Sequence, residues 1–263
     1  MHVAGLLTLA LAWRTTFALK LSLRMSGDAL MHGEYDALAR HLLDQRREGA
    51  QFWVGIAGGP GSGKSTLAAA VASRLNEMCG SEVATVLPMD GFHYSRAELR
   101  QIAESSAGRY TFDELIARRG SPWTFDAAKI CTQLSAAKSA GEAVLPTYSR
   151  QKSDPVPGGV ELRRSHALVL CEGNYLFNWD EPEWSGLRDV FDEKWFISCA
   201  DLAGQRERLV KRHLETWTDE KTAMWGPGRE GAAKKADSND VLNAEFVERT
   251  SKKWADRVII SRG

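Results

Sequence analysis

The sequence predicts an α/β fold with a mainly parallel central sheet and helices on both faces, and three observations carry that reading. Short apolar runs such as QFWVGIA (51–57) and HALVLC (166–171) alternate with helix-patterned segments along most of the chain. HALVLC is apolar without interruption, as a strand covered on both faces must be. The stretch GGPGSGKST (58–66) lies between a strand and a helix, the junction where such sheets hold ligands at the carboxyl ends of their strands.

Taken in order, Asp28–Arg47 reads as a helix with Leu30, Leu38, Leu42 and Leu43 near one face. QFWVGIA is a buried strand, Gly63–Met78 a helix with Ala and Leu on its inner face, and SEVATVLP (81–88) a second strand. Helical pieces are expected at Ser95–Ser105, Thr111–Arg119 and Phe125–Ala140, then a short strand at Ala143–Tyr148. QKSDPVPGG (151–159) reads as a loop because of its Pro and Gly content. HALVLC and Lys194–Ser198 are strands, and Leu202–Thr216 is a long basic helix. WGPGREGAAKK marks 217–238 as a flexible insertion, followed by a helix at Val241–Trp254 and a last strand at Arg257–Ile260. No internal repeat is present.

Composition bounds the function. The chain has 263 residues, 43% hydrophobic and 26% charged, enough for a real core. Lys+Arg and Asp+Glu are both 34, so the net charge argues against a nucleic-acid binder, although a local basic cleft is compatible with it. Cys79, Cys131, Cys171 and Cys199 form no CxxC pair, and they read as reduced, mostly buried thiols rather than a zinc cluster or disulfide framework. Residues 1–27 contain Arg14, Lys20 and Arg24 and no acid, with an apolar run at Val3–Trp13 too short to span a membrane. That run suits a signal-peptide core, and the remainder suits a transit peptide; a start at Met25 and an ordinary tail are the competing readings. One domain is expected from residue 28 to residue 263. It is expected to be intracellular and soluble: cytoplasmic, or in a plastid or mitochondrion if the leader is a targeting peptide.

The glycine-rich stretch matches G-x-x-x-x-G-K-[ST] from Gly58 to Ser65, with the right strand before it and helix after it. Gly58, Gly59, Pro60, Gly61, Ser62 and Gly63 let the backbone curl into a nest of inward N–H groups, and Lys64, Ser65 and Thr66 open a helix whose positive end adds to it. Such a P-loop binds a nucleoside triphosphate. Lys64 can reach the phosphates, and the Ser65 hydroxyl is placed for Mg²⁺. A dinucleotide fingerprint fits less well, because Lys64 stands where a third glycine belongs.

Two acids follow strand ends. Asp90, in PMDGFH, could accept a proton from an attacking hydroxyl or cap a turn. Glu172, in CEGNYL, could serve Mg²⁺ or shape a turn. GGPGSGKST, PMDGFH and CEGNYL together resemble the uridine kinase, phosphoribulokinase and pantothenate kinase group of P-loop kinases, and more narrowly a poorly characterised branch with DGFH and EGNYL. GSPWTFD (120–126), Asn239-Asp240 to Asn243 and ADRVI (255–259) also suit that branch, so the likeness runs from about residue 50 to 262. It implies a P-loop NTPase three-layer sandwich that uses ATP and Mg²⁺. Asp90 would be the general base, Lys64 the phosphate ligand, and Ser65 with Glu172 the metal site.

The same resemblance makes Gln205–His213 a basic lid. Arg208 and Arg212 share a helical face, whereas Arg206 and Arg208 do not, so Arg208 and Arg212 are the favoured pair and Arg206 a further candidate. A solvated basic face is the competing reading. For the acceptor, the candidates are His93, Tyr94, Arg109, Tyr148, Arg150, Asn174 and Tyr175, with Asp154 in the adjoining loop. Ser149 stands where uridine kinases pair an acid with the aromatic residue, which counts against uridine. Trp179 and Trp184 are expected to pack a surface loop; Trp225 is a packing residue or a cover for the base.

The expected activity is transfer of the γ-phosphoryl group of ATP to a hydroxyl of a small metabolite such as a nucleoside, sugar, sugar phosphate or pantothenate-like compound. The alternative is a P-loop ATPase that acts as a switch or assembly factor on a protein partner. A small-molecule acceptor is the partner expected, with no nucleic acid and no membrane; a homodimer is compatible with the sequence.

Overall fold

A computed structural model describes residues 27–261, with side chains from residue 33. The leader up to residue 26, and with it the reading of that stretch as a targeting or disordered segment, lies outside the described residues. The central sheet has five strands, β1 (Phe52–Gly58), β2 (Ala84–Pro88), β5 (Leu168–Gly173), β6 (Glu193–Cys199) and β7 (Arg257–Ser261), in the order β2-β5-β1-β6-β7. Every neighbouring pair is parallel. A separate antiparallel hairpin joins β3 (Ala143–Ser149) to β4 (Asp154–Leu162).

Strand alternation divides the core into two layers. Val54, Ile56, Leu168, Leu170, Trp195 and Ile197 face α1 (Gly27–Gln45) and α2 (Lys64–Cys79), where Leu38, Leu42, Leu67, Val71 and Leu75 meet them. Trp53, Ala57, Val169, Cys171 and Phe196 face the other way, onto Ile130 and Leu134 of α5 (Ala127–Ala140) and Val247 of α9 (Val241–Ser251). β5 is buried at every position, which explains why its sequence does not alternate. Trp179 and Trp184 belong to this second layer, at 6% and 1% exposure, and do not pack a surface loop as the sequence suggested. Of the four cysteines, all free, Cys171 is buried and the others are half-buried, fewer buried than expected.

Two stretches read as irregular are ordered. The stretch 151–159 contributes the start of β4, which pairs Ser149 with Asp154 and Tyr148 with Pro155. Pro155 and Pro157 are tolerated because a two-stranded ribbon leaves each strand one edge without a ladder partner. Gly159 is required there, since a Cβ would come within 1.9 Å of Thr147 Oγ1. The insertion at 217–238 holds α7 (Asp219–Trp225) and α8 (Gly228–Lys235), which follow α6 (Leu202–Leu214). Thr218 caps α7, and Gly226 and Pro227 separate the two short helices. Glycine and proline are punctuation here, and Ala232 and Ala236 pack on Leu209 and Val210 of α6. A π-type widening over Ala236–Asp240 links α8 to α9.

Candidate active site

The carboxyl ends of β1, β2 and β5 converge on one cavity of about 440 Å³, a normal size for a small-ligand site. The P-loop forms part of its floor. Gly61 and Gly63 hold φ of +74° and +98°, the left-handed region that glycine enters without strain. Ser62 N donates to Gly59 O at 3.1 Å and closes the turn. Lys64 then starts α2 and folds back, donating to Gly59 O at 3.2 Å and Asn174 Oδ1 at 2.8 Å. Burial depresses its ammonium pKa, while the carboxylates of Glu172 and Asp90 act in the opposite direction.

Sheet register brings the acids together. Pro88 of β2 pairs with Glu172 of β5, and Asp90 follows two residues later in the 3₁₀ turn Met89–Phe92. Both carboxylates line the cavity with Lys64 and Ser65. Ser65 Oγ donates to Glu172 Oε1 at 3.0 Å. Burial raises the Glu172 carboxyl above the usual range, against the charge of Lys64 and with the repulsion of Asp90. Gly91 lets the hairpin seat against this turn, because a Cβ there would lie 2.1 Å from Pro146 O.

His93 extends the wall. Its Nδ1–H donates to Asp90 O at 2.8 Å, and its ring lies 3.8 Å from that of Phe125 and 4.9 Å from that of Tyr148. Burial lowers its pKa, so the neutral ring is favoured. Tyr148, Arg150 and Asn174 also line the cavity.

Other residues singled out in the sequence lie elsewhere. Arg109 is exposed in the turn between α3 (Arg96–Ser105) and α4 (Phe112–Ala117) and does not line the cavity. Tyr175 is fully buried, and its hydroxyl donates to Gly120 O at 2.5 Å within an aromatic cluster with Phe125 and Trp184. Tyr94 contributes its backbone carbonyl, which accepts from Arg119 Nη2 at 2.7 Å, while its side chain stays out of the lining. Thr66 is exposed, one position past the cavity lining.

The lid arginines take three different positions. Arg212 lines the cavity, and its guanidinium meets Asp240 at 3.4 Å. Arg208 instead braces the P-loop from outside the cavity, donating through Nε to Gly61 O at 3.2 Å. Gln205 does likewise, to Pro60 O at 2.7 Å. Arg206 points away and pairs with Asp237 at the surface.

Sequence reasoning missed several groups of the wall. Asp240 is buried and accepts from His213 Nε2 at 2.8 Å as well as from Arg212. Burial would raise its pKa, but the His213 hydrogen bond and the cations around it hold it below the usual carboxylate range. Lys235 stands 5.5 Å over the ring of Trp225, and both line the cavity. Arg119 donates to Ser153 O at 2.6 Å and Asp154 Oδ1 at 3.1 Å and covers the Tyr148 ring at 5.5 Å. Its loop is clasped from the far side: Asn239 Nδ2 donates to Arg119 O at 2.8 Å, and Ser121 Oγ lies 3.3 Å from both Asn239 Oδ1 and Asn243 Oδ1. Lys235 fell inside the stretch 217–238 read as a flexible insertion, and Asp240 was singled out only as part of the family resemblance, with no role in the cavity.

Comparison with known proteins decides the family. A candidate uridine kinase of Schizosaccharomyces pombe is 33% identical over 224 residues, covering 84% of this chain and 88% of its own. The chain belongs to the uridine kinase, phosphoribulokinase and pantothenate kinase family of P-loop kinases. It is an ATP-dependent kinase. A candidate fructose transport system kinase from Silicibacter superposes with a TM-score of 0.67 at 29% identity, over 86% of this chain and 98% of that one. Pantothenate kinase of Ligilactobacillus salivarius is 25% identical over 170 residues, 65% of this chain and 52% of that protein. No protein-family profile matches the kinase. Among its described residues, no helix is long and apolar enough to cross a membrane.

Proposed function

We propose that this kinase transfers the γ-phosphoryl group of ATP to a hydroxyl of a small metabolite, with Asp90 as general base. The observation that carries the reading is the convergence of Lys64, Asp90, Glu172 and Arg212 in one cavity at the carboxyl ends of three adjacent strands. The P-loop amides and Lys64 hold the β- and γ-phosphates. Asp90 takes the proton of the acceptor hydroxyl as its oxygen bonds to the γ-phosphorus and the β–γ bond breaks, releasing ADP. Arg212 neutralises charge on the transferred group. His93, through its bond to Asp90 O, fixes the turn that carries the base, and Asn174 aims the Lys64 ammonium.

The donor set fits Mg²⁺. Ser65 and Glu172 present hard oxygens 3.0 Å apart beside the phosphate loop. Mg²⁺ at such sites takes one or two protein ligands and completes its shell with phosphate and water, so this pair is sufficient. When bound there, the ion would offset the negative charge of the phosphates.

The test is ADP release by the full chain against a panel of nucleosides, sugars, sugar phosphates, hydroxy acids and pantothenate. One compound that raises ADP release well above background, with loss of the rise in Lys64→Ala, is the expected result. Steady hydrolysis unmoved by every compound and stimulated by a protein partner would overturn it in favour of a switch ATPase.

A further inference from the structure

The cations of the cavity sort into those already engaged and those that are not. Lys64 is committed to Gly59 O and Asn174, and Arg212 to Asp240. Arg96 pairs with Glu220 at 2.5 Å. Arg119 is locked by Ser153 O, Tyr94 O and Asp154, and its guanidinium lies against the Tyr148 ring, so it pins the hairpin rather than waiting for a ligand. Lys221 bonds to Thr216, and Lys235 rests on Trp225. Arg150 and Lys152 remain. Both line the cavity from the β3–β4 turn, and neither side chain makes a hydrogen bond or ion pair among the described residues.

Arg150 is exposed, and its charge faces the cavity it lines. It stands close enough to Tyr148, His93, Glu172 and Arg212 to act electrostatically on all four. The hairpin that carries it packs on the turn that bears Asp90, through the Gly91–Pro146 contact. Its nearest hairpin acid, Asp154, is already taken by Arg119 and by the Arg96 backbone N–H. Arg212 repels Arg150, and Glu172 attracts it across the cavity without pairing to it. A planar fork of donors matches the paired oxygens of a phosphate or carboxylate. A neutral nucleoside would leave that fork unmatched.

We propose that the cavity selects an acceptor whose hydroxyl is accompanied by an anionic group, a phosphate monoester or a carboxylate, and that Arg150 receives that group with Lys152 beside it. The proposal rests on the kinase reading above and narrows it to a substrate class.

The experiment measures ADP release by the full chain with saturating ATP and Mg²⁺ on four matched pairs: ribose and ribose 5-phosphate, uridine and uridine 5′-monophosphate, glycerol and glycerate, pantothenol and pantothenate. The anionic member of at least one pair is expected to exceed its neutral counterpart by tenfold or more in kcat/KM, and the winning pair tells phosphate from carboxylate. Arg150→Ala should lower the anionic-to-neutral ratio about ten- to a hundredfold, and Arg150→Lys should restore part of it. A neutral compound preferred within its pair overturns the proposal and leaves the kinase reading standing. So does a ratio unmoved by Arg150→Ala, or a fall of both members together, which would assign Arg150 to the transferred phosphoryl group. Hydrolysis without transfer to any of the eight compounds overturns the kinase reading for these acceptor classes, and this proposal with it.

Discussion

The two ends of the cavity are built from different materials. At the nucleotide end the wall is backbone, a glycine turn and a helix start that follow β1, a strand paired in parallel on both sides. At the other end the wall is made of long charged side chains from a two-stranded hairpin, a loop and a lid, some of them held by others, as Arg119 is by Asp154 and Arg212 by Asp240. The first design suits a ligand common to many enzymes, since amides offer one geometry to any triphosphate. The second can be altered by exchanging a side chain without disturbing the sheet. Energetically the ends differ too. The nucleotide end concentrates charge under burial, with both Lys64 and Glu172 shifted toward their neutral forms, whereas the hairpin wall sets ion pairs such as Arg96–Glu220 and Arg119–Asp154 beside the unpaired Arg150 and Lys152.

The largest test of this contrast is Asp90→Asn, which should cut kcat by about 10²–10⁴-fold while a fluorescent ATP analogue still binds; transfer at the wild-type rate would remove Asp90 from the role of base. Next is Lys64→Ala at the backbone-built end, expected to lower kcat by about 10²–10³-fold and weaken ATP binding. On the lid, Asp240→Asn leaves Arg212 and His213 without their buried anion and should cost about 3 kcal/mol of stability by denaturant titration, with a raised KM for ATP; an unchanged midpoint would show the network to be dispensable.

Glu172→Gln should have a smaller and opposite effect on stability. Its carboxyl is raised by burial, so the folded apo protein binds more protons there than the unfolded chain, and stability falls as pH climbs from the ordinary carboxylate range through the raised value. At neutral pH the glutamine variant should therefore melt slightly higher than the parent without ligands, and yet transfer more slowly. Arg109→Ala should change neither kcat/KM nor the unfolding midpoint, because that side chain is exposed and away from the cavity.

The same contrast explains what could be read in advance. The gathering of the P-loop, Asp90 and Glu172 at strand ends around one cavity was legible because each sits inside one short segment. The parallel sheet was legible because β5 is apolar throughout. The acceptor wall was not. Arg119 owes its place to carbonyls of Tyr94 and Ser153, and Asp240 owes its value to His213 and Arg212 a helix away. Proline and glycine misled twice, at β4 and at α7–α8, since they mark edges and breaks as readily as loops. Tyr175 looked like an acceptor ligand beside Asn174, but the chain turns between them, sending one side chain to Lys64 and the other into the aromatic core.

The clasp between Ser121 and Asn239 joins residues 118 apart. A ribosome making this chain therefore completes the nucleotide loop long before the acceptor wall can close. Closure of that wall waits for a segment 118 residues downstream of the loop it holds.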